Sequence, residues 1–486
     1  MSPCRIPAEI HTAPHNRQRI ARIATMSTHS EIDPRDITKL RDHFATGETK
    51  PIPWRLEQLR ALRQLISEHR DDLADALAAD LGKPATESFM TELDFVSSSI
   101  SHMLKSLRSW TRPQRVHTPL HLQPGKAYTL REPLGMVLII GPFNYPVQLT
   151  LGPLAGALAA GNCAVLKPSE QTPIVSRLVG KLVNDYLDDR AVQVYQGGPE
   201  VSGELLGQKF DHIFFTGSAR VGRIVAQAAA KNLTTTTLEL GGKSPAIVEP
   251  PVDMKTTARR IAWSKFLNAG QTCIAPDYVL AVNGSADELV HHLHKAVESM
   301  YGHSPATSAD YGRIVNEDHF DRIVSYFREG NHAFGGGHNR ETRYIAPTVL
   351  TNVRPDSPAM TEEIFGPILP IMEVDTIDDA VDFVNERSKP LALYAFTKSD
   401  LTKRRLLTRT SSGGVGFGAP MVQFEVPSLP FGGVGESGSG AYHGVFTIDT
   451  FSHVKSVVDK PLHPDTLRMV YPPFKQIKET ILRKFR

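Results

Sequence analysis

The sequence predicts an α/β protein built on a doubly wound parallel sheet, and three observations carry that prediction. From Gly135 onward, short apolar runs alternate with helical patterns, the order that parallel strands with crossover helices require. The chain has 486 residues, more than one hydrophobic core accommodates, so two or three domains are expected. Hydrophobic residues make up 41% and charged residues 22%, the composition of an ordinary soluble globular enzyme.

Taken in order, the first 30 residues hold Arg5, Arg17, Arg19 and Arg22 against a single acid, Glu9. Such a segment reads as a disordered extension or a transit peptide, without the apolar run of a secretory signal. Met26 offers an alternative start. Residues 1–31 are therefore expected to be disordered. Leu56, Leu59, Leu62 and Leu65 recur at helical spacing, and amphipathic patterns continue over 71–81 and 91–110, which predicts a helical N-terminal layer. The Pro-bounded segment 118–133 reads as two extended strands joined at Pro124-Gly125. Strands follow at 136–140, 164–167, 192–195 and 212–216, with helices over 149–160 and 172–186. A second α/β unit carries helices near 254–268, 285–301 and 377–386. The richest glycine stretches are Ser411-Ser-Gly-Gly-Val-Gly-Phe-Gly418 and Phe431-Gly-Gly-Val-Gly-Glu-Ser-Gly-Ser-Gly440.

Several partner classes are set aside by composition. A net charge of +2 gives no reason to expect nucleic acid or an anionic membrane. No apolar stretch reaches the roughly 18 residues of a membrane span. The three cysteines, Cys4, Cys163 and Cys273, are too few and too scattered for a disulfide framework and fit a reducing cytoplasm. His291, His292 and His294 cluster on a helical pattern without neighbouring cysteines, which reads as a solvated helix face and supports no metal site.

Three segments carry residue types suited to thiol chemistry on a carbonyl. Cys273 lies among small and polar residues in Phe266-Leu-Asn-Ala-Gly-Gln-Thr-Cys-Ile-Ala275, Glu239 in Leu238-Glu-Leu-Gly-Gly-Lys-Ser-Pro245, and Asn144 in Gly141-Pro-Phe-Asn-Tyr-Pro146. They could supply a nucleophile, a general base and an amide donor. Each also has a bland reading: a small buried hydrophobe, a solvated strand-end charge and a turn former. Phe214-Phe-Thr-Gly-Ser-Ala-Arg-Val-Gly222 ends an apolar run and opens a helix, so its backbone N–H groups could face an anion. Its spacing is not G-x-G-x-x-G, and a plain strand-to-helix turn is an equal alternative. Lys167 and Glu170 leave another strand three residues apart, placed either to meet a ribose or to remain in solvent.

Together with Thr361-Glu-Glu-Ile-Phe-Gly-Pro367, these strings resemble the aldehyde dehydrogenases, most closely their class 3 branch, from about Asp36 to the C-terminus. The resemblance implies a Rossmann-type cofactor domain over 32–114 and 134–240, an oligomerisation hairpin over 115–133, a catalytic domain over 241–430, and a C-terminal return segment and tail over 431–486. It implies NAD(P)-dependent oxidation of an aldehyde, with Cys273 as nucleophile, Asn144 as oxyanion donor beside the Cys273 backbone N–H, and Glu239 as base. Gly217, Ser218 and Gly222 match the family's nucleotide turn, Lys167 and Glu170 its ribose contacts, Glu363 and Phe365 its nicotinamide side. Glu170 disfavours a 2′-phosphate, so NAD is expected first with NADP open. A homodimer is expected through the hairpin. A CoA-acylating dehydrogenase and an idle scaffold are the alternatives; the presence of Glu239 argues against the first and the joint set of site residues against the second. Where class 3 relatives carry Asn-Asp-Val, this chain has Gly418-Ala419-Pro420, so the loop at the aldehyde entrance is altered. Tyr471-Pro-Pro-Phe474 matches the branch again, and a short basic amphipathic end follows at 475–486.

Overall fold

A computed structural model describes residues 14–26 and 32–473. Two parallel-cored sheets organise it. The first has six strands in the order Gly438–Ser439, Thr235–Leu240, His212–Gly217, Met136–Ile140, Cys163–Lys167 and Val192–Val194. All pairings are parallel except that of Gly438–Ser439, which runs antiparallel to Thr235–Leu240. Met136–Ile140 and Cys163–Lys167 are buried at every position, which is why they read as continuous apolar runs: a parallel sheet covered on both faces has no polar side. Strand order reverses between Met136–Ile140 and His212–Gly217. The carboxyl ends of these two strands therefore flank a crevice, the place where open α/β sheets bind ligands.

The second sheet has seven strands in the order Asn331–Phe334, Thr348–Thr351, Ile368–Val374, Tyr278–Val282, Pro245–Val248, Ala392–Phe396 and Gly414–Phe417. Only its edge strand, Asn331–Phe334, is antiparallel. Each large sheet has its own buried cluster of apolar side chains, the arrangement that chain length led us to expect.

The helical N-terminal layer consists chiefly of Pro34–Thr46, Ile52–Glu68, Arg70–Leu81 and Asp94–Trp110. The predicted leucine stripe Leu56, Leu59, Leu62 and Leu65 is buried. Helix Gln148–Ala160 is apolar on nearly all sides because it is surrounded, packing against Ile52–Glu68, Asp94–Trp110 and Gly444–Thr450. A π-helical turn, Phe89–Leu93, precedes Asp94–Trp110, where the sequence pattern reads as ordinary helix from residue 91.

Two expectations need correction. Residues 14–26 are not disordered: Pro14–Ala24 is a helix that packs on Arg70–Leu81 and Pro173–Tyr186. It buries Ile20 and Ile23, and Arg19 pairs with Asp72 at 3.1 Å and Asp75 at 2.9 Å. Composition suggested disorder because the acids that meet its arginine lie some fifty residues on. Residues 1–13 and 27–31 lie outside the described residues, as does the basic segment 475–486.

The segment 118–133 is not a self-contained hairpin. Its first strand is Gln114–Val116 and its second is Lys126–Pro133, with a 3₁₀ turn, Leu120–Leu122, between them. Pro119 and Pro124 lack the N–H that a ladder needs. A third strand, Ser452–Asp459, pairs along the full length of Lys126–Pro133 and makes a three-stranded sheet.

Candidate active site

The turn carrying Cys273 is built from a run of left-handed residues. Helix Met254–Phe266 ends, and Asn268, Ala269 and Gly270 follow with φ of 52°, 50° and 77°. Left-handed backbone costs free energy at Asn and more at Ala, so its neighbours must hold it. A Cβ at Gly270 would collide with the backbone of Gly366 and Pro367. The Cys273 turn is thereby seated on the Glu-Ile-Phe-Gly-Pro string. Gln271 Nε2 donates to the carbonyls of Asn268 and Arg313, both at 3.0 Å, and Gln271 Oε1 accepts from Val315 N at 2.9 Å.

Asn144 is brought to this turn by the loop after Met136–Ile140. Its Nδ2 donates to Gln271 O at 3.0 Å, two residues before Cys273. The neighbouring Tyr145 hydroxyl shares a 2.6 Å hydrogen bond with the Thr272 hydroxyl. Glu239 is near the end of Thr235–Leu240, pairs with Gly438 and is 3% exposed. Cys273 and Glu239 line one small cavity of about 80 Å³, walled by Trp263, Phe431, Tyr442 and Met421 among others. Asn144 is not in that wall and reaches the site through the Cys273 turn. A larger cavity of about 600 Å³ shares Met90, Phe95, Phe424 and Glu425 with the small one. Met421, just past the altered Gly418-Ala419-Pro420, has φ of 69° and lines the inner cavity, whereas those three residues line neither cavity.

The chamber is poor in compensating charge. Both oxygens of Glu239 are buried without a protein hydrogen-bond partner, and burial holds its carboxyl well above the ordinary value of 4.5. The Cys273 thiol is pushed up to about 12, first by burial, then by Glu363 and Glu239, against the opposing backbone N–H groups of Cys273 and Ile274. Two anions this close in an apolar site destabilise each other. Burial in this apolar chamber thus disfavours the charged form of both groups.

Of the residues predicted for the cofactor, Lys167, Glu170, Gly217, Ser218 and Gly222 lie at or beyond the carboxyl ends of strands of the first sheet, whereas Glu363 and Phe365 lie in the loop that leads into Ile368–Val374 of the second. Gly217 ends its strand. Ser218 caps helix Ala219–Lys231, accepting from Val221 N, and a Cβ at Gly222 would meet the Leu240 side chain at 2.6 Å. Lys167 is 2% exposed at the end of its strand and its ammonium pairs with Glu170. Glu363 Oε1 is buried without a protein partner. Burial and Asp277 push that carboxyl up to about 8, opposed by the Gly242 N–H, Lys243 and Arg322. Phe365 has φ of 49°, rare for a bulky residue, and meets Phe143 edge-on at 5.7 Å.

The loop bearing Glu363 is itself firmly held. Lys243 Nζ donates to Asp277 at 2.5 Å, Ala359 O at 2.8 Å and Glu362 O at 2.9 Å. Arg322 donates to Glu363 O at 3.2 Å and Ile364 O at 2.9 Å. A clamped backbone with a buried carboxyl that keeps one oxygen unpartnered fits a sugar hydroxyl that would donate to it, and the strand-end glycines leave room for a close backbone approach.

Sequence reading missed Lys83, Glu92, Tyr145, Lys243 and Asp277. Lys243 stands inside the Leu-Glu-Leu-Gly-Gly-Lys-Ser-Pro string and Tyr145 inside Gly141-Pro-Phe-Asn-Tyr-Pro146; the other three carry no local signal. Among the described residues no group of three or more His, Cys, Asp or Glu could hold a metal ion. No helix among them is long and apolar enough to cross a membrane.

Comparison with known proteins gives one consistent result. A family model described as "Aldehyde dehydrogenase family" matches residues 9–457. "Aldehyde dehydrogenase family 3 member B2" of Mus musculus is 46% identical over 436 residues, 90% of this chain and 91% of that one. "Aldehyde dehydrogenase, dimeric NADP-preferring" of Mus musculus is 45% identical over 438 residues, 90% of this chain and 97% of that one. The solved structure "Substrate bound state of Staphylococcus Aureus AldH" superposes with a TM-score of 0.92 at 43% identity, covering 94% of this chain and all of that one.

Proposed function

Since the chain belongs to the aldehyde dehydrogenase family and oxidises an aldehyde to the acid with NAD(P), we propose that Cys273, Asn144 and Glu239 carry that reaction. The observation that supports the assignment is the shared cavity in which Cys273 faces a buried carboxyl with neither oxygen engaged.

The Cys273 sulfur adds to the aldehyde carbon as the thiolate, forming the S–C bond while the carbonyl π pair moves to oxygen. The Asn144 side-chain amide and the Cys273 backbone N–H donate to that oxyanion. When bound, NAD(P) supplies the acceptor for the hydride that leaves the same carbon. The resulting Cys273 thioester is opened by water. Glu239 takes the water proton, and the sulfur departs as thiolate. The balance is aldehyde, NAD(P)⁺ and water giving acid, NAD(P)H and a proton. A carboxyl raised by burial is a stronger base than an exposed one, which suits it to this step near neutral pH.

Glu170 and Lys167 are the candidates for the adenosine ribose, Gly217, Ser218 and Gly222 for the diphosphate, and Glu363 with Phe365 for the nicotinamide side. NAD is the preferred partner on the charge of Glu170. In this reading residues 32–114 and 134–240 form the cofactor domain and 241–430 the catalytic domain. The larger cavity is the route by which the aldehyde enters.

Replacing Glu239 by Gln keeps size and hydrogen bonding but removes the proton acceptor. A single burst of NADH per site should survive, followed by steady turnover slowed by about 10²–10⁴-fold. Cys273→Ala should give neither burst nor turnover. Wild-type steady turnover in Glu239→Gln would remove Glu239 from the base role.

The three-stranded sheet leaves Val116, Leu120, Val454 and Val458 exposed, and we assign it to the contact between two copies. Light scattering should give twice the 53.5 kDa chain mass; a monomer at micromolar concentration would refute this. The free, scattered cysteines support a cytoplasmic location, which cell fractionation tests.

A further inference from the structure

Lys83 and Glu92 form an ion pair at 2.6 Å in which both side chains are fully buried. Burying two charges costs more than their attraction returns unless every remaining valence is met. Here one short loop meets most of them, while Glu87, a buried neighbour with one oxygen unpartnered, also feels both charges. The second Glu92 oxygen accepts from Val147 N at 2.8 Å and Gln148 N at 3.2 Å, the start of helix Gln148–Ala160. Lys83 Nζ donates to Asn144 O at 2.9 Å and stands over the Tyr145 ring, 4.2 Å from its centre.

The Asn144 carbonyl is gripped from the opposite side as well. Asn268 Nδ2 donates to it at 2.8 Å, from within the left-handed run that precedes Cys273. The peptide at Asn144 is therefore held between an ammonium from the helical layer and an amide from the Cys273 turn, while its side chain rests on Gln271 O. Glu92 belongs to the π-helical turn Phe89–Leu93, an irregularity frequent at functional sites.

We infer that Lys83 and Glu92 are positioning residues that fix the Asn144 amide as an oxyanion donor, by locking the Asn144 peptide and the helix start that follows it. The inference rests on the reading of Asn144 given above. An apolar pair of similar volume would hold the helical layer to this loop, but it would not donate to the Asn144 carbonyl. A donor displaced by about 1 Å can cost about 10²-fold in rate.

The test is the double variant Lys83→Met with Glu92→Gln, which removes both charges and keeps an oxygen for the Val147 and Gln148 N–H groups. Two reactions of Cys273 separate positioning from general damage. Acylation by 4-nitrophenyl acetate passes through an oxyanion; alkylation by iodoacetamide does not. The expected result is acylation and the NADH burst slowed by about 10²-fold, with alkylation, aldehyde KM and thermal midpoint close to wild type. Acylation at the wild-type rate in the folded variant would overturn the inference. So would an equal loss of alkylation, which would mean that the pair supports the Cys273 turn instead. Asn144→Ala serves as reference: if it acylates normally, the oxyanion reading of Asn144 fails, whatever Lys83 does. Should the double variant not fold, the fall in the ratio of acylation to alkylation is read from Lys83→Met alone, with a lowered thermal midpoint expected from the stranded Glu92 and the same two refutations.

Discussion

Glu92 and Glu239 are both buried carboxyl groups close to the reaction chamber, and the molecule treats them in opposite ways. Glu92 is enclosed by donors: an ammonium and two backbone N–H groups at a helix start. Glu239 faces a cavity with no protein donor on either oxygen. The first is committed to architecture, because removing any one partner strands the others. The second is left uncommitted by the protein, as the base role proposed for it requires. Donor placement, rather than depth of burial, separates the two roles.

The strongest way to break that comparison is to remove both acids and measure stability. Glu92→Ala should destabilise the fold by about 3–5 kcal/mol, because Lys83 is left buried and unpaired. At pH 5, where the pH-linked contribution of a raised carboxyl is still small, Glu239→Gln should change stability by less than about 1 kcal/mol, since no protein hydrogen bond is lost. Urea unfolding of both variants checks this, and equal costs would refute the distinction.

A pH series sharpens it. The folded-state value of Glu239 is raised, so its contribution to stability is full below the ordinary value of 4.5 and is lost as pH rises toward the folded value. The slope is at most about 1.4 kcal/mol per pH unit. Glu239→Gln lacks this term, so its stability should gain on wild type from pH 5 to pH 8. A constant difference across that range would mean that Glu239 is already ionised in the fold.

The smallest effect is expected at a third carboxylate. The Glu170 side chain is 38% exposed and paired with Lys167, so its field is screened. Glu170→Ala should shift the ratio of specificity constants toward NADP by about five-fold, the equivalent of about 1 kcal/mol. An unchanged ratio would place Glu170 away from the ribose.

How far the sequence could be read follows the same division. The parallel strands were legible because complete burial leaves an uninterrupted apolar run, as in Met136–Ile140. Cys273 and Glu239 were singled out from separate strings, and the structure brings both to one cavity. Lys83 and Glu92 were not, since the groups they satisfy lie more than fifty residues away and nothing local marks a lysine as buried. Helix Pro14–Ala24 failed for the same reason: Arg19 finds its acids in another helix. Strand Ser452–Asp459 is mostly exposed, so it lacks the apolar run that marked its buried counterparts.

The seat of Gly270 on Gly366 and Pro367 has a consequence for inheritance. The nucleophile turn and the string bearing Glu363 are far apart in the chain, yet a methyl group added to one must be accommodated by the other. Across descendants of this protein the two strings should drift together or not at all. In a combinatorial library, survivors altered at Gly270 should carry a compensating change near Gly366.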